Sequence, residues 1–203
     1  MGALMPRPEP ICLVLLAAGS ATRFGTLKQL VAIDGVAMAR HCASAAVQSG
    51  ARVLVVTGAR RNAVEEQLVG LPVTLTFNPG WREGMGSSLA LGVRAAQDAH
   101  SELRAVIIAL ADMPSISHRQ FRALLDTHAR FPERIIAADS GGTLGPPCLF
   151  PARYFAELEA LTGERGARSV LEKHAKNVHA VAMPEAAIDI DVPADHARYS
   201  RPR

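Results

Sequence analysis

Asp112 and Asp191 share one context: each ends an apolar run and stands two residues before a proline, as Asp112-Met113-Pro114 and Asp191-Val192-Pro193. Two carboxylates of this kind could hold one hard cation. Magnesium takes one or two carboxylates and completes its octahedron with phosphate oxygens and water. Positive charge comes from the stretch Leu13 to Lys28, LVLLAAGSATRFGTLK, which turns on small residues and Gly19 and delivers Arg23 and Lys28 within one loop. Small residues let the backbone come close to an anion, loop N–H groups point at it, and the cations neutralise it. Cations on one side and carboxylates on the other would bracket a metal–polyphosphate. Taken alone, the loop also reads as a surface turn with two solvated charges, and either aspartate as a strand end capping the next turn.

The elements that must position these groups follow from the hydrophobic pattern. Ile11–Ala17, Arg52–Thr57, Val73–Phe77, Ala105–Leu110 and Arg134–Ala138 are short and apolar throughout, as strands buried on both faces are. Shorter strands are expected at Cys148–Phe150, Val178–Met183 and Ala187–Ile190. Helical spacing alternates with them over Val36–Gln48, Arg60–Val69, Ser88–Ala99, from an N-cap at Ser117 to about Arg130, and over Ala152–Leu161, Ala167–Lys173 and Ala194–Tyr199. This rhythm predicts an α/β fold with a mostly parallel central sheet and helices on both faces. Ligands of such sheets sit beyond the carboxyl ends of the strands. The polar groups collect there: Gly19, Arg23 and Lys28 after the first strand, Asn78 and the Gly84–Ser88 turn after the third, Asp112 after the fourth, and Asp189 or Asp191 after a late one. Trp81, the only tryptophan, lies beside the second glycine turn and reads first as a packing anchor, second as a ligand flank.

The length of 203 residues suits one substantial domain, placed here at residues 11–199, with a flexible lead-in at 1–10 and a loose end at 200–203. With 49% hydrophobic and 20% charged residues the composition is that of a globular chain, and with 4% aromatics its core must be aliphatic. A net charge of +3 suits an anionic small molecule, and no basic run with interleaved aromatics points to nucleic acid. Cys12, Cys42 and Cys148 are odd in number and far apart, which argues against a disulfide framework or zinc site; Cys148, after Gly145-Pro146-Pro147, is the one that could line a site. The seven histidines form no metal-spaced pair, and Arg60-Arg61 reads as a solvated helix start. No stretch is apolar enough for a membrane span and the start lacks a secretory core, so a cytoplasmic protein is expected.

Five segments, in order, resemble one family. Leu16-Ala17-Ala18-Gly19 with Arg23-Phe24-Gly25 and Lys28 is similar to the LAAGxSxRMGxxK signature of MobA-like NTP transferases, Rossmann-like nucleotidyltransferases of the nucleotide-diphospho-sugar transferase type. Asn78 with Gly84-Met85-Gly86-Ser87-Ser88-Leu89 resembles N…GMxSSL, and Ala111-Asp112-Met113-Pro114 resembles GDxP. Gly145-Pro146-Pro147-Cys148-Leu149-Phe150 and Gly163-Glu164-Arg165-Gly166-Ala167-Arg168 resemble GxPxLF…GDxGAR, and Asp189-Ile190-Asp191-Val192-Pro193-Ala194-Asp195 resembles DIDTPED. Ala21, Ala111 and Pro146 depart from the family's Ser, Gly and His. The branch most resembled is molybdenum cofactor cytidylyltransferase.

That resemblance implies transfer of CMP from CTP to the phosphate of molybdopterin, with release of pyrophosphate and Mg²⁺ as cofactor. It implies Arg23, Lys28 and Asp112 as catalytic residues, and Ala17, Ala18, Gly19, Arg23, Lys28, Asn78, Gly84, Ser87 and Ser88 around the nucleotide. Gly145, Pro147 and Cys148 would line the acceptor, and Asp112 and Asp191 would hold the metal. Partners would be the nucleotide, a molybdopterin-like acceptor, and a molybdoenzyme or its maturation chaperone, with neither nucleic acid nor membrane. The same chemistry with GTP or with a sugar phosphate stays open, as does a non-catalytic carrier of the finished cofactor.

Overall fold

A computed structural model describes residues 10–20, 28–33 and 35–187. Arg23, Asp189, Asp191, the side chain of Lys28 and the expected terminal helix lie outside the described residues.

The sheet strands, in chain order, are β1 (Ile11–Ala17), β4 (Arg52–Thr57), β5 (Val73–Phe77), β6 (Ala105–Leu110), β7 (Ile135–Asp139), β8 (Leu144–Pro151) and β9 (Val178–Ala182); the two-residue strands β2 (Ala32–Ile33) and β3 (Val36–Ala37) make a small separate hairpin. The sheet order is β5-β4-β1-β6-β8-β7-β9. β5, β4, β1 and β6 pair in parallel, β8 runs antiparallel to both β6 and β7, and β9 is parallel to β7. The expectation of a mostly parallel sheet is met, and the first four strands lie on the apolar runs residue for residue.

The physical reason is visible in β1. Leu13, Leu15 and Ala17 belong to one core layer, and Cys12, Val14 and Leu16 to the other. A strand buried on both faces has no polar side to show, so its sequence is continuous rather than alternating. The first layer is closed by α1 (Met38–Gln48), α2 (Arg61–Gln67) and α4 (His118–Arg130), through Cys42, Val64 and Leu124. The second is closed by α3 (Met85–Ala99), α5 (Phe155–Glu159) and α6 (Ala167–Lys173), through Val93, Leu158 and Val170. α3 lies close enough that a Cβ on Gly92 would stand 2.5 Å from Val14 Cγ1 and 2.8 Å from Val56 Cγ2. Ser117 caps α4 as expected: its hydroxyl accepts from the Arg119 amide at 3.3 Å, while Gln120 Oε1 accepts from the Ser117 amide at 3.0 Å.

Three expectations are corrected. The loop at Gly145-Pro146-Pro147 is part of β8, which spans Leu144–Pro151 rather than only Cys148–Phe150. Cys148 pairs with Ala137 and Gly145 with Ala138, so the two prolines fall in the register shift between them, where no amide is missed. Second, α3 begins at Met85, not Ser88, because Gly84 makes the turn at φ 105 and leaves both serines in the first helical turn. Third, Ala187 closes a 3₁₀ turn over Pro184–Ala187 instead of opening a strand; the rest of that expected strand lies outside the described residues.

Candidate functional site

The chain leaves β1, builds outward through β4 to β5, then crosses under α3 to β6 on the other side of β1. That reversal sends the connections after β1 and β6 to opposite sides at their carboxyl ends, the place where an open α/β sheet offers a crevice. A cavity of about 620 Å³ occupies it.

Each wall comes from a different element. The end of β1 contributes Leu16, Ala18, Gly19 and Ser20; the end of β6 contributes Leu110, Ala111 and Asp112; the entry to α3 contributes Trp81, Arg82, Gly84, Met85 and Ser88; Gln29 and Glu164 complete it. Backbone hydrogen bonds tie the end of β1 to both of its neighbours: Ala111 N–H, just past β6, donates to Leu16 C=O at 3.0 Å, and Ala59 N–H, just past β4, to Ala18 C=O at 3.1 Å. Gly58 has to be glycine, since a Cβ there would stand 2.7 Å from Ala18 O and 2.8 Å from Trp81 Cβ. So the ends of β1 and β4 and the tryptophan are packed backbone to backbone.

Asn78 acts as an internal tie. It is 5% exposed and lies outside the cavity lining. Its Nδ2 donates to Ser87 Oγ at 3.0 Å and Ser88 Oγ at 2.9 Å, and its Oδ1 accepts from the Gly80 amide at 2.9 Å. Ser87 Oγ in turn donates towards Gly80 and Gly84 carbonyls. The expected N…GMxSSL constellation is therefore assembled, with Asn78 and Ser87 fastening the end of β5 to the first turn of α3 and Ser88 reaching the cavity.

The entry to α3 is also clamped from outside. Gly86 N–H donates to Gly163 C=O at 2.8 Å. A Cβ on Gly84 would meet the Gly163 carbonyl at 2.4 Å, and one on Gly86 would meet Thr162 and Arg165 backbone at 2.8 Å. The two glycine motifs that are some eighty residues apart in sequence are thus two halves of one interlock, and it is this interlock that holds Glu164 on the cavity wall.

On the floor, Gln29 is 6% exposed; its Nε2 donates to Gly19 C=O at 2.9 Å, while its Oε1 has no hydrogen-bond partner among the described residues. Asp112 lies above α1: burial, and next the Asp112 charge, push the Cys42 thiol up to about 12. His41 meets the Pro114 carbonyl at 3.1 Å, so α1 supports the whole Asp112–Pro114 turn.

Of the residues expected at the site, Ala18, Gly19, Gly84, Ser88 and Asp112 share this cavity; Ala17 is buried one residue behind it. Gly145, Pro147 and Cys148 are not brought to it. Cys148 is fully buried against β6, paired with Ile108, and burial raises its thiol far above the usual range. Cys12 is likewise raised to about 11, first by burial. With all three thiols buried and protonated, the native protein should consume no thiol-reactive disulfide reagent at pH 8 over minutes, and 3 equivalents after denaturation. Rapid modification of one thiol in the native protein would contradict this burial. Trp81 does both things the sequence allows, packing on the second core layer and lining the cavity. Gln29 and Arg82 carry no sequence signal of their own, the only hint being their adjacency to Lys28 and Trp81; Glu164 stands at the acidic position of the GDxGAR-like segment, though nothing there assigns it to this cavity.

The donor set suits a divalent cation bound largely by substrate. Asp112 offers a carboxylate on the cavity wall, and among the described residues no group of three or more His, Cys, Asp or Glu forms an all-protein cage. No helix among the described residues is long and apolar enough to cross a membrane.

Comparison with known proteins fits this architecture. Nicotine blue oxidoreductase of Paenarthrobacter nicotinovorans is 32% identical over 79% of this chain and 80% of its own. Molybdenum cofactor cytidylyltransferase of Escherichia coli K12 is 24% identical over 90% of this chain and 91% of its own. Among solved structures, Rv0371c of Mycobacterium tuberculosis H37Rv superposes with a TM-score of 0.82 at 22% identity, covering 96% of this chain and 99% of that one. Its manganese complex superposes with a TM-score of 0.75 at 21% identity, over 93% and 97%. Residues 13–178 match the MobA-like NTP transferase domain, so the chain belongs to that family, and nucleotidyltransferase is the enzyme class to which the membership assigns it.

Proposed function

We propose that the protein transfers CMP from CTP to the phosphate of a molybdopterin-type acceptor and releases pyrophosphate. The observation that carries the reading is the cavity at the carboxyl ends of β1 and β6, which Ala18, Gly19 and Asp112 line together. The cytidylyltransferase relative supports the choice of nucleotide and acceptor. An acceptor phosphate oxygen attacks the α-phosphorus, the bond from that phosphorus to the β-phosphate oxygen breaks, and pyrophosphate leaves. The attacking oxygen is already ionised, so no general base is required, and the work of the protein is positioning and charge neutralisation.

In this reading the backbone of Ala17, Ala18 and Gly19 borders the base, with Gln29 fixing the Gly19 carbonyl. Asn78, Gly84, Ser87 and Ser88 shape the ribose side. Arg23 and Lys28 neutralise the triphosphate. Asp112 and Asp191 would hold Mg²⁺, which would screen phosphate charge and lower the barrier to attack; the manganese complex of Rv0371c supports a divalent cation in this fold. The acceptor side is assigned to the start of β8 at Gly145 and Pro147, where Gly145 is half-buried, with Cys148 sealed behind them in the core.

A second reading has one observation in its favour: the relative at 32% identity is named an oxidoreductase. One panel separates the readings. CTP, GTP, ATP and UTP are each incubated with Mg²⁺, either alone, with molybdopterin or with a sugar phosphate, and pyrophosphate is measured; in parallel, oxidation of a reduced nicotinamide cofactor is followed with a planar heteroaromatic dye as electron acceptor. Pyrophosphate from CTP that depends on molybdopterin is the expected result. Turnover with a sugar phosphate alone, binding without turnover, or nicotinamide oxidation without pyrophosphate would each overturn it.

A further inference from the structure

Trp81 and Arg82 form a feature that the transfer chemistry does not use. Trp81 opens a single 3₁₀ turn, Trp81–Glu83, between β5 and α3. Its Cβ sits in the notch that Gly58 leaves against Ala18, and its indole packs on the second core layer. The Arg82 guanidinium lies over that indole, Cζ 4.4 Å from the ring centroid. Among the described residues Arg82 makes no hydrogen bond or ion pair, so the aromatic ring and not a carboxylate fixes it. Both side chains line the cavity beside Ala18.

A guanidinium held by stacking keeps all its N–H donors for a ligand, in a rigid planar fork. Such a fork matches two adjacent acceptors lying in one plane. We infer that Arg82, positioned by Trp81, reads the nucleobase and selects bases whose edge carries two adjacent acceptors. Cytosine has O2 and N3, and guanine has O6 and N7. Uracil interrupts its two carbonyls with an N3–H donor, and adenine sets an amino donor beside N7. CTP and GTP are therefore favoured over UTP and ATP at this wall. The inference rests on the nucleotidyltransferase reading, but it concerns which base binds and not whether transfer follows.

Trp81 is the sole tryptophan of the chain, so its emission reports on this wall alone. The full-length protein is titrated with CTP, GTP, UTP, ATP and inorganic tripolyphosphate, with Mg²⁺ and no acceptor, and binding is followed by fluorescence and by calorimetry. The expected result is saturable quenching by CTP and GTP, with Kd at least about tenfold lower than for UTP and ATP. Arg82→Ala and Arg82→Lys should both remove the preference, since an ammonium cannot present the fork. Trp81→Phe, followed by calorimetry, should retain most of it, and Trp81→Leu should lose it. Equal Kd for all four nucleotides in the unmodified protein would overturn the inference. So would an Arg82→Ala variant that keeps the preference, or one that weakens all four nucleotides and tripolyphosphate alike, which is the behaviour of a phosphate clamp. Base preference that vanishes with Arg82 while no nucleotide yields pyrophosphate would sustain this inference and sink the proposed transfer.

Discussion

Asp112→Asn is expected to lower pyrophosphate release on the order of a hundredfold or more, the scale of removing one preorganised charge-stabilising group, while leaving thermal stability nearly unchanged. The substitution keeps shape and removes charge. Asp112 stands at the end of β6, on the cavity wall, and its turn is held from beneath by α1 through the His41 contact to Pro114 and the packing of Cys42. None of those supports needs the carboxylate to be ionised. What needs the charge is the divalent cation and the phosphates it carries. The loss should therefore appear in kcat and in the apparent affinity for Mg²⁺, and raising Mg²⁺ should recover part of it. Full-rate turnover at ordinary Mg²⁺ would remove Asp112 from the site. A large fall in melting temperature with an unchanged metal dependence would make it a structural residue instead.

The positions that were legible in the sequence share a physical cause. A strand covered by helices on both faces must be apolar at nearly every position, so β1, β4 and β6 announce themselves, and a carboxylate at the end of such a run, like Asp112, stands out against it; β5, expected to be buried as they are, is instead the sheet edge, with Thr74 and Leu75 exposed. The Gly84–Ser88 turn was legible as well, because helix entries concentrate small and hydroxylated residues. What was not legible depends on contacts distant in sequence or on the direction a side chain takes. Nothing local tells that Gly163 docks on Gly86, or that Glu164 is thereby presented to the cavity. Nothing local tells that Arg82 turns onto the indole next to it while Arg61 turns onto Phe77. The two prolines before Cys148 read as a loop because proline donates no ladder bond; β8 carries them as the unpaired residues of a register shift opposite Ala137 and Ala138, which only the pairing with β7 reveals.

Gly84→Ala should be the most damaging single methyl that can be added near the site. Gly84 has φ 105 and ψ 179, a region open essentially to glycine alone, and a side chain there costs about 1–3 kcal/mol in backbone strain. The added Cβ would also stand 2.4 Å from the Gly163 carbonyl carbon and oxygen and 2.9 Å from the Glu164 amide. These are backbone atoms and cannot swing aside as a flexible side chain would, so overpacking adds a further ~1–3 kcal/mol. For a chain of this size the sum lowers the melting temperature on the order of 10 °C. Activity should fall further than stability explains, because relief of the collision moves Glu164 off the cavity wall and loosens the Gly86 to Gly163 hydrogen bond. Gly141 separates the two effects. It also has a positive φ, 85, but a Cβ there meets nothing within 4 Å. Gly141→Ala should cost backbone strain alone and leave nucleotide binding intact. Equal losses of stability in the two variants, with binding preserved in both, would mean that the two glycine motifs do not lock each other and that the cavity wall does not depend on them.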